Sequence, residues 1–223
     1  MNKTTIAVLG GTGHEGSGIA ARLARAGYKV VIGSRDAARA VVKAEELCRL
    51  TGTRGIEGAS LADAAAAGEI VILTVPYAAQ QPTADALRPQ LAGKILIDVT
   101  VPLLPPKVSV AQLPQGQSCV KLLQDRLGAE VRVVSAFQNV SAHALLDLAC
   151  DVDCDVLVCA DDAEARRSVV ALIRDIGMTG IEGGVLANSV VAEALTSLLI
   201  FINRSYKVPA SGIRITGLPS AAA

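Results

Sequence analysis

Apolar residues along the chain follow two distinct patterns. Short continuous runs at residues 5–9, 29–33, 69–75, 94–98, 131–136 and 155–159 lack polar alternation, which predicts strands covered on both faces. Between them, apolar positions recur at helical spacing over residues 14–26, 36–50, 60–68, 77–91, 118–127 and 163–176. Ser60 is placed to cap the third of these helices, Pro82 to disturb the fourth, and Asp161 and Asp162 to favour the N-terminus of the last. Weaker patterns predict short strands at 54–57 and 179–182, a short helix ending at Leu148, a long apolar helix over about 185–206 and an edge strand at 212–216. The proline-rich stretch 99–117 reads as an ordered loop, and the final residues, Pro219 to Ala223, read as frayed. Strands alternating with helices predict an α/β, Rossmann-like doubly wound fold with a mainly parallel sheet and a smaller C-terminal helical portion.

The first strand runs into Gly10-Gly11-Thr12-Gly13-His14-Glu15-Gly16. Gly11, Gly13 and Gly16 have the G-x-G-x-x-G spacing of a turn that holds a pyrophosphate on a helix N-terminus. In that reading Gly11 allows the tight turn, Gly13 lets backbone N–H groups approach phosphate oxygens, and Gly16 lets the helix pack on the strand. A plain strand-to-helix turn shares the spacing. Its place at the head of a unit that returns to a strand at 29–33 favours a dinucleotide, with Thr12 and His14 beside it. We therefore expect residues 1–178 to form the dinucleotide-binding domain, and residues 179–223 to pack on the crevice and supply a dimer contact.

The end of the second strand chooses the cofactor. NAD-binding folds place a carboxylate there for the ribose hydroxyls, whereas this chain has Ser34 and Arg35, with Arg39 one turn later. A hydroxyl and two guanidinium groups would hold a 2′-phosphate, so NADP is favoured. Asp36 keeps open a ribose contact of the NAD kind, and the arginines could equally be solvated surface charges. Three further strand ends should converge on one crevice: Thr74, Val75 and Pro76 beside the nicotinamide half, then 98–103 with Val101 and Pro102, then 135–141 with Gln138, Asn139 and Val140 beside a second substrate. Helix capping by Asn139 or Ser141 is the plainer alternative.

Composition narrows the function classes. Formal charge balances at zero, there is no Trp, and no basic stripe carries interleaved aromatics, so no nucleic-acid partner is expected. The N-terminus enters a strand directly and the apolar segment 190–202 contains Glu193 and is too short to span a bilayer, so the expectation is a cytoplasmic protein without a membrane partner. Five cysteines, an odd number without C-x-x-C spacing, predict neither disulfides nor zinc, only small buried hydrophobes. No metal cluster and no nucleophile–base pair is visible, so no catalytic side chain is assigned. His14 reads as a local contact, and His143 either as a helix-face residue or as one that reaches the crevice. Hydride transfer between two bound rings needs only positioning.

Taken together, Val8-Leu9-Gly10-Gly11-Thr12-Gly13, Val31-Ile32-Gly33-Ser34-Arg35, Leu73-Thr74-Val75-Pro76, the stretch 135–142, Asp155-Val156-Leu157-Val158-Cys159 with Asp161-Asp162, and Glu193-Ala194-Leu195-Thr196 resemble the NADPH-dependent F420 reductases over nearly the whole chain. The resemblance implies a Rossmann domain, a smaller C-terminal portion, a homodimer, and hydride exchange between NADPH and the deazaflavin coenzyme F420, a small-molecule electron acceptor or donor. By position it implies NADP contacts at Thr12, Ser34, Arg35 and Arg39, and a deazaflavin side at Gln138, Asn139, Val140 and Thr196. One departure stands out: family members often have His where this chain has Gln138, which donates a hydrogen bond but carries no charge. Two other readings stay open, a reductase of another conjugated acceptor (flavin, quinone-like compound or imine) and a non-catalytic NADPH-binding sensor.

Overall fold

The computed structural model describes residues 3–218. Strands β1 (Thr5–Leu9), β2 (Lys29–Ser34), β3 (Ile56–Ser60), β4 (Ile70–Leu73), β5 (Ile95–Asp98) and β6 (Arg132–Ser135) form one parallel sheet in the order β3-β2-β1-β4-β5-β6. This is the doubly wound order, and the chain reverses direction across the sheet between β1 and β4. The continuous apolar runs have the expected cause. Ile6 and Val8 face one core with α1 (His14–Arg25), α2 (Ala37–Thr51), α7 (Ala142–Leu146) and α8 (Ala163–Asp175), while Ala7 and Leu9 face another with α3 (Leu61–Ala67), α4 (Tyr77–Ala86), α5 (Arg88–Leu91) and α6 (Cys119–Leu127).

The capping residues act as their types predict. Side-chain oxygens of Asp36, Ser60, Ser118 and Asp162 accept backbone N–H bonds at the starts of α2, α3, α6 and α8. Four expectations are corrected. The third strand lies at Ile56–Ser60 rather than 54–57, because its register is set by pairing Val30 with Ile56 through Ser34 with Ser60. The helix expected over 77–91 runs through Pro82 but breaks at Leu87, where Pro89 has no N–H to continue the helix. Residues 212–216 are not a strand: Ile213 makes one backbone bond, accepting from Asp155 N–H at 2.8 Å, and the Asp155 carboxylate then takes Ile215 N–H and the Arg214 guanidinium. Cys150 is exposed, although Cys119, Cys154 and Cys159 are buried as expected. The frayed end expected at 219–223 lies outside the described residues.

A second, two-stranded parallel sheet joins β7 (Asp155–Val158) to β8 (Thr179–Glu182), and an antiparallel bridge between Ser135 and Cys159 ties it to β6. A short turn of 3-10 helix leads into α9 (Ser189–Tyr206). The stretch Leu186–Tyr206 has 21 residues, long and apolar enough by length and composition to cross a membrane, which corrects the expectation of a segment too short to do so. Its inner face is nevertheless built for this fold. The buried Glu193 carboxylate accepts from Ser118 Oγ at 2.5 Å and from Cys119 N–H at 2.9 Å, so α9 supplies the acceptor for the N-terminus of α6.

Candidate active site

A crevice of about 560 Å³ lies along the carboxyl ends of the strands, over the switch point between β1 and β4. Ser34, Arg35 and Arg39 line one end. Both arginines are exposed, and among the described residues neither forms an ion pair. Asp36 does not line the crevice: its carboxylate accepts Arg39 N–H at 3.1 Å and caps α2. The group that kept an NAD-type ribose contact open is therefore occupied elsewhere.

The glycine turn forms the middle of the floor. Its positive φ belongs to Gly10, at 83°, where a Cβ would meet Thr74 O at 2.7 Å. Gly11 does not line the crevice and packs beneath it, with room for no side chain against Ile32 Cγ2, 2.7 Å from an added Cβ. Above Gly13, by contrast, an added Cβ meets only Gly10 O at 3.4 Å, so its face toward the crevice is open to a ligand. Gly16 lies against β4: an added Cβ would strike Thr74 Oγ1 and come within 2.8 Å of Gly11 Cα. Thr74 Oγ1 is fixed by donating to Leu9 O at 2.8 Å, so it cannot yield without loss. Gly16→Ala is expected to cost about 2 kcal/mol, lowering Tm by roughly 4–8 °C and weakening NADPH binding about tenfold. Thermal denaturation and titration of NADPH fluorescence check both.

At the far end, Thr74, Val75, Pro76, Val101, Gln138, Val140 and Thr196 all reach the crevice. Gln138 is held in one orientation. Its Nε2 donates to Asp98 O at 2.7 Å, and since a carbonyl only accepts, Oε1 must be the amide's other edge. That Oε1 is buried and has no partner among the described residues, as is Thr100 Oγ1 on the crevice wall. The preceding Phe137 holds φ at 75°, unusual for a bulky side chain, and Thr196 Oγ1 donates to Gln138 O at 2.7 Å, so α9 fixes the loop that aims Gln138. Asp98 is buried beneath it, accepting from Gln80 Nε2 at 2.5 Å and Thr100 N–H at 2.9 Å. Burial pushes the Asp98 carboxyl up, against the opposing pull of those bonds.

Besides Gly11, two further expected contacts lie off the crevice. Pro102 is buried behind the crevice wall, and Asn139 turns away, with Nδ2 donating to Asp155 O at 2.7 Å and Oδ1 accepting Leu157 N–H at 3.4 Å, so that it anchors β7. His143 stands next to His14, with ring centroids 6.4 Å apart. Glu15 lines the crevice without having been singled out, and Thr100 and Leu103 line it from the expected stretch 98–103. A carboxylate within a phosphate-binding motif was the signal for Glu15.

Residues 5–102 match the family described as NADP oxidoreductase, coenzyme F420-dependent. Over 221 residues the chain is 42% identical to the F420-dependent NADP reductase of Methanothermobacter thermautotrophicus, covering 96% of this chain and 95% of that one. The chain belongs to the F420-dependent NADP reductase family. The reductase of Methanocaldococcus jannaschii is also 42% identical, with 96% and 98% covered. A crystal structure of a candidate F420-dependent NADP reductase from an Arthrobacter species superposes with a TM-score of 0.82 at 28% identity, covering 96% of this chain and 100% of that one. The crevice of this reductase family member fits a dinucleotide phosphate on two observations: guanidinium groups without an ion pair among the described residues at one end, and an open glycine floor in the middle. Among the described residues, no group of three or more His, Cys, Asp or Glu side chains is arranged to hold a metal ion.

Proposed function

We propose that this protein transfers a hydride between NADPH and coenzyme F420, with Arg35 and Arg39 on the 2′-phosphate and Gln138 and Thr196 on the deazaflavin side. The observation that carries this reading is a single continuous crevice with cationic and polar ends, in a chain 42% identical to reductases of that name. The dinucleotide supplies the hydride-carrying nicotinamide, and the balanced exchange is NADPH, F420 and a proton against NADP⁺ and the reduced deazaflavin. The chain's own work is to bind and orient. Ser34 and the two arginines fix the adenosine end, the N–H groups around Gly13 take the pyrophosphate, and Thr74, Val75 and Pro76 set the depth of the nicotinamide. Gln138 lines the end of the crevice where the second ring is read to lie, its amide held by Asp98 O and its backbone carbonyl by Thr196.

Residues 1–178 are read as the dinucleotide-binding domain and residues 179–223 as the portion that closes the crevice through Thr196. Two copies are read as pairing through the outer face of α9, where Val191, Leu198 and Phe201 are exposed at 60%, 52% and 55%. A cytoplasmic setting, with small molecules rather than a membrane as partners, goes with this reading.

Steady-state oxidation of NADPH, with F420 compared against FMN and a cyclic imine, tests the assignment. F420 is expected to be the preferred acceptor, and preference for either of the others would replace it. Gln138→Leu keeps the volume and removes the amide. KM for F420 is expected to rise about tenfold while Kd for NADPH stays within about twofold. An equal loss for both ligands would move Gln138 off the acceptor side.

A further inference from the structure

Glu15 is the one carboxyl that opens onto the crevice among its described lining residues. It lies in the first turn of α1 and is half-buried, and among the described residues it has no hydrogen-bond or ion-pair partner. Its charged neighbour is another acid, the buried Asp98 at the end of β5. Its place follows from Gly16, the next residue, which abuts Thr74 Oγ1 and so sets the first turn of α1 against the end of β4. Arg35 and Arg39 follow β2 on one side of β1, whereas β4 and β5 lie on the other, so Glu15 is on the opposite side of the switch point from the 2′-phosphate site. A dinucleotide laid across the glycine turn therefore presents its nicotinamide half to Glu15. No cation or hydrogen-bond donor side chain among the described residues holds it there, and the N-terminus of α1 is its one favourable neighbour.

We propose that Glu15 sets the redox balance of the bound cofactor, its ionised carboxylate favouring the oxidised, cationic nicotinamide over the reduced, neutral one. The inference rests on the NADP reading above. A carboxylate beside the ring attracts NADP⁺ and has no matching attraction for NADPH, whereas the neutral acid discriminates little. Burial, with Asp98 adding to it, pushes the Glu15 carboxyl up to about 8. The selectivity is thus switched on as pH rises through that region. The cation lowers the carboxyl's pKa in the NADP⁺ complex, so NADP⁺ binding releases a proton near neutrality and NADPH binding does not. Other groups line the same space, His14 on α1 itself and Tyr77 from α4, with Arg35 and Arg39 at the far end, while His143 from α7 stands beside His14 and Asp98 from β5 is buried outside the lining. Titration of the 2′-phosphate is common to both cofactor forms and cancels from their ratio.

The test is the ratio of NADPH to NADP⁺ dissociation constants, measured by calorimetry on the full chain from pH 6.5 to 9.5, with Glu15→Gln alongside. In the parent protein the ratio is expected to shift about tenfold toward NADP⁺ as pH rises, and in Glu15→Gln to stay flat at the low-pH value. A flat ratio in the parent protein overturns the proposal without reference to any variant. So does a pH course that survives in Glu15→Gln, which would assign it to the histidines. Failure of the parent protein to bind either form would overturn the cofactor reading itself, a result distinct from tight binding with a pH-independent ratio.

Discussion

Replacing Arg35 and Arg39 together by alanine is expected to weaken NADPH binding about a hundredfold or more and to leave NADH binding within about threefold. Hydrogen bonds to charged groups contribute roughly 1.5–3 kcal/mol each, and two such contacts with a phosphate together account for a change of that size. Neither guanidinium has an ionic partner to lose among the described residues, so the fold is expected to tolerate the change with Tm within about 2 °C. Fluorescence titration with both cofactors measures the discrimination. Equal losses for NADPH and NADH would remove the arginines from the 2′-phosphate and leave Ser34 as its remaining contact.

The second large effect is expected at a residue outside the crevice. Glu193→Ala removes the acceptor for Ser118 Oγ–H, Cys119 N–H and Val120 N–H and leaves these donors buried. An unmet buried donor costs about 1–3 kcal/mol, so a loss of about 4 kcal/mol and a fall in Tm of roughly 8–16 °C are expected. The effect also reaches the site. Thr196 lies one turn further along α9 and fixes the Gln138 carbonyl, so a loosened α9 is expected to raise KM for F420 more than Kd for NADPH. Glu193→Gln keeps an acceptor for part of the cluster and should fall between the two. A Tm unchanged in Glu193→Ala would mean that water or a shifted Ser189 replaces the carboxylate.

The features read correctly from the sequence are those decided by local chemistry. Residues 6–9 and 95–97 are apolar throughout because both sheet faces are covered, Ser60 caps its helix because its oxygen satisfies an N–H one turn on, and Asp162 stands at the N-terminus of α8 where an acid is favoured. Arg35 and Arg39 stand at the crevice because the end of β2 in a doubly wound fold must lie there. What the sequence left hidden depends on partners far away along the chain. The shift of β3 to Ile56–Ser60 follows from pairing with β2, and the loss of a strand at 212–216 follows from Asp155, whose carboxylate takes the bonds a ladder would have used. Asn139 belongs to β7 for the same reason: its amide reaches Asp155 and Leu157, a contact invisible in the loop's own residues. Glycine spacing identified the turn but not which glycine takes the positive φ. That is Gly10, one position before the motif, because Thr74 closes over it. Glu15 was legible as a carboxylate inside the glycine motif, but its facing the crevice is seen only in the fold.

The most direct test of the account is stopped-flow absorbance of the purified protein mixed with NADPH and oxidised F420, followed at the deazaflavin band. The account predicts rapid bleaching that requires NADPH, fails with NADH and is lost in the Arg35→Ala, Arg39→Ala variant. Absence of bleaching in a preparation that binds NADPH tightly would contradict it, and would mean that the crevice keeps its dinucleotide but passes the hydride to a different acceptor at Gln138.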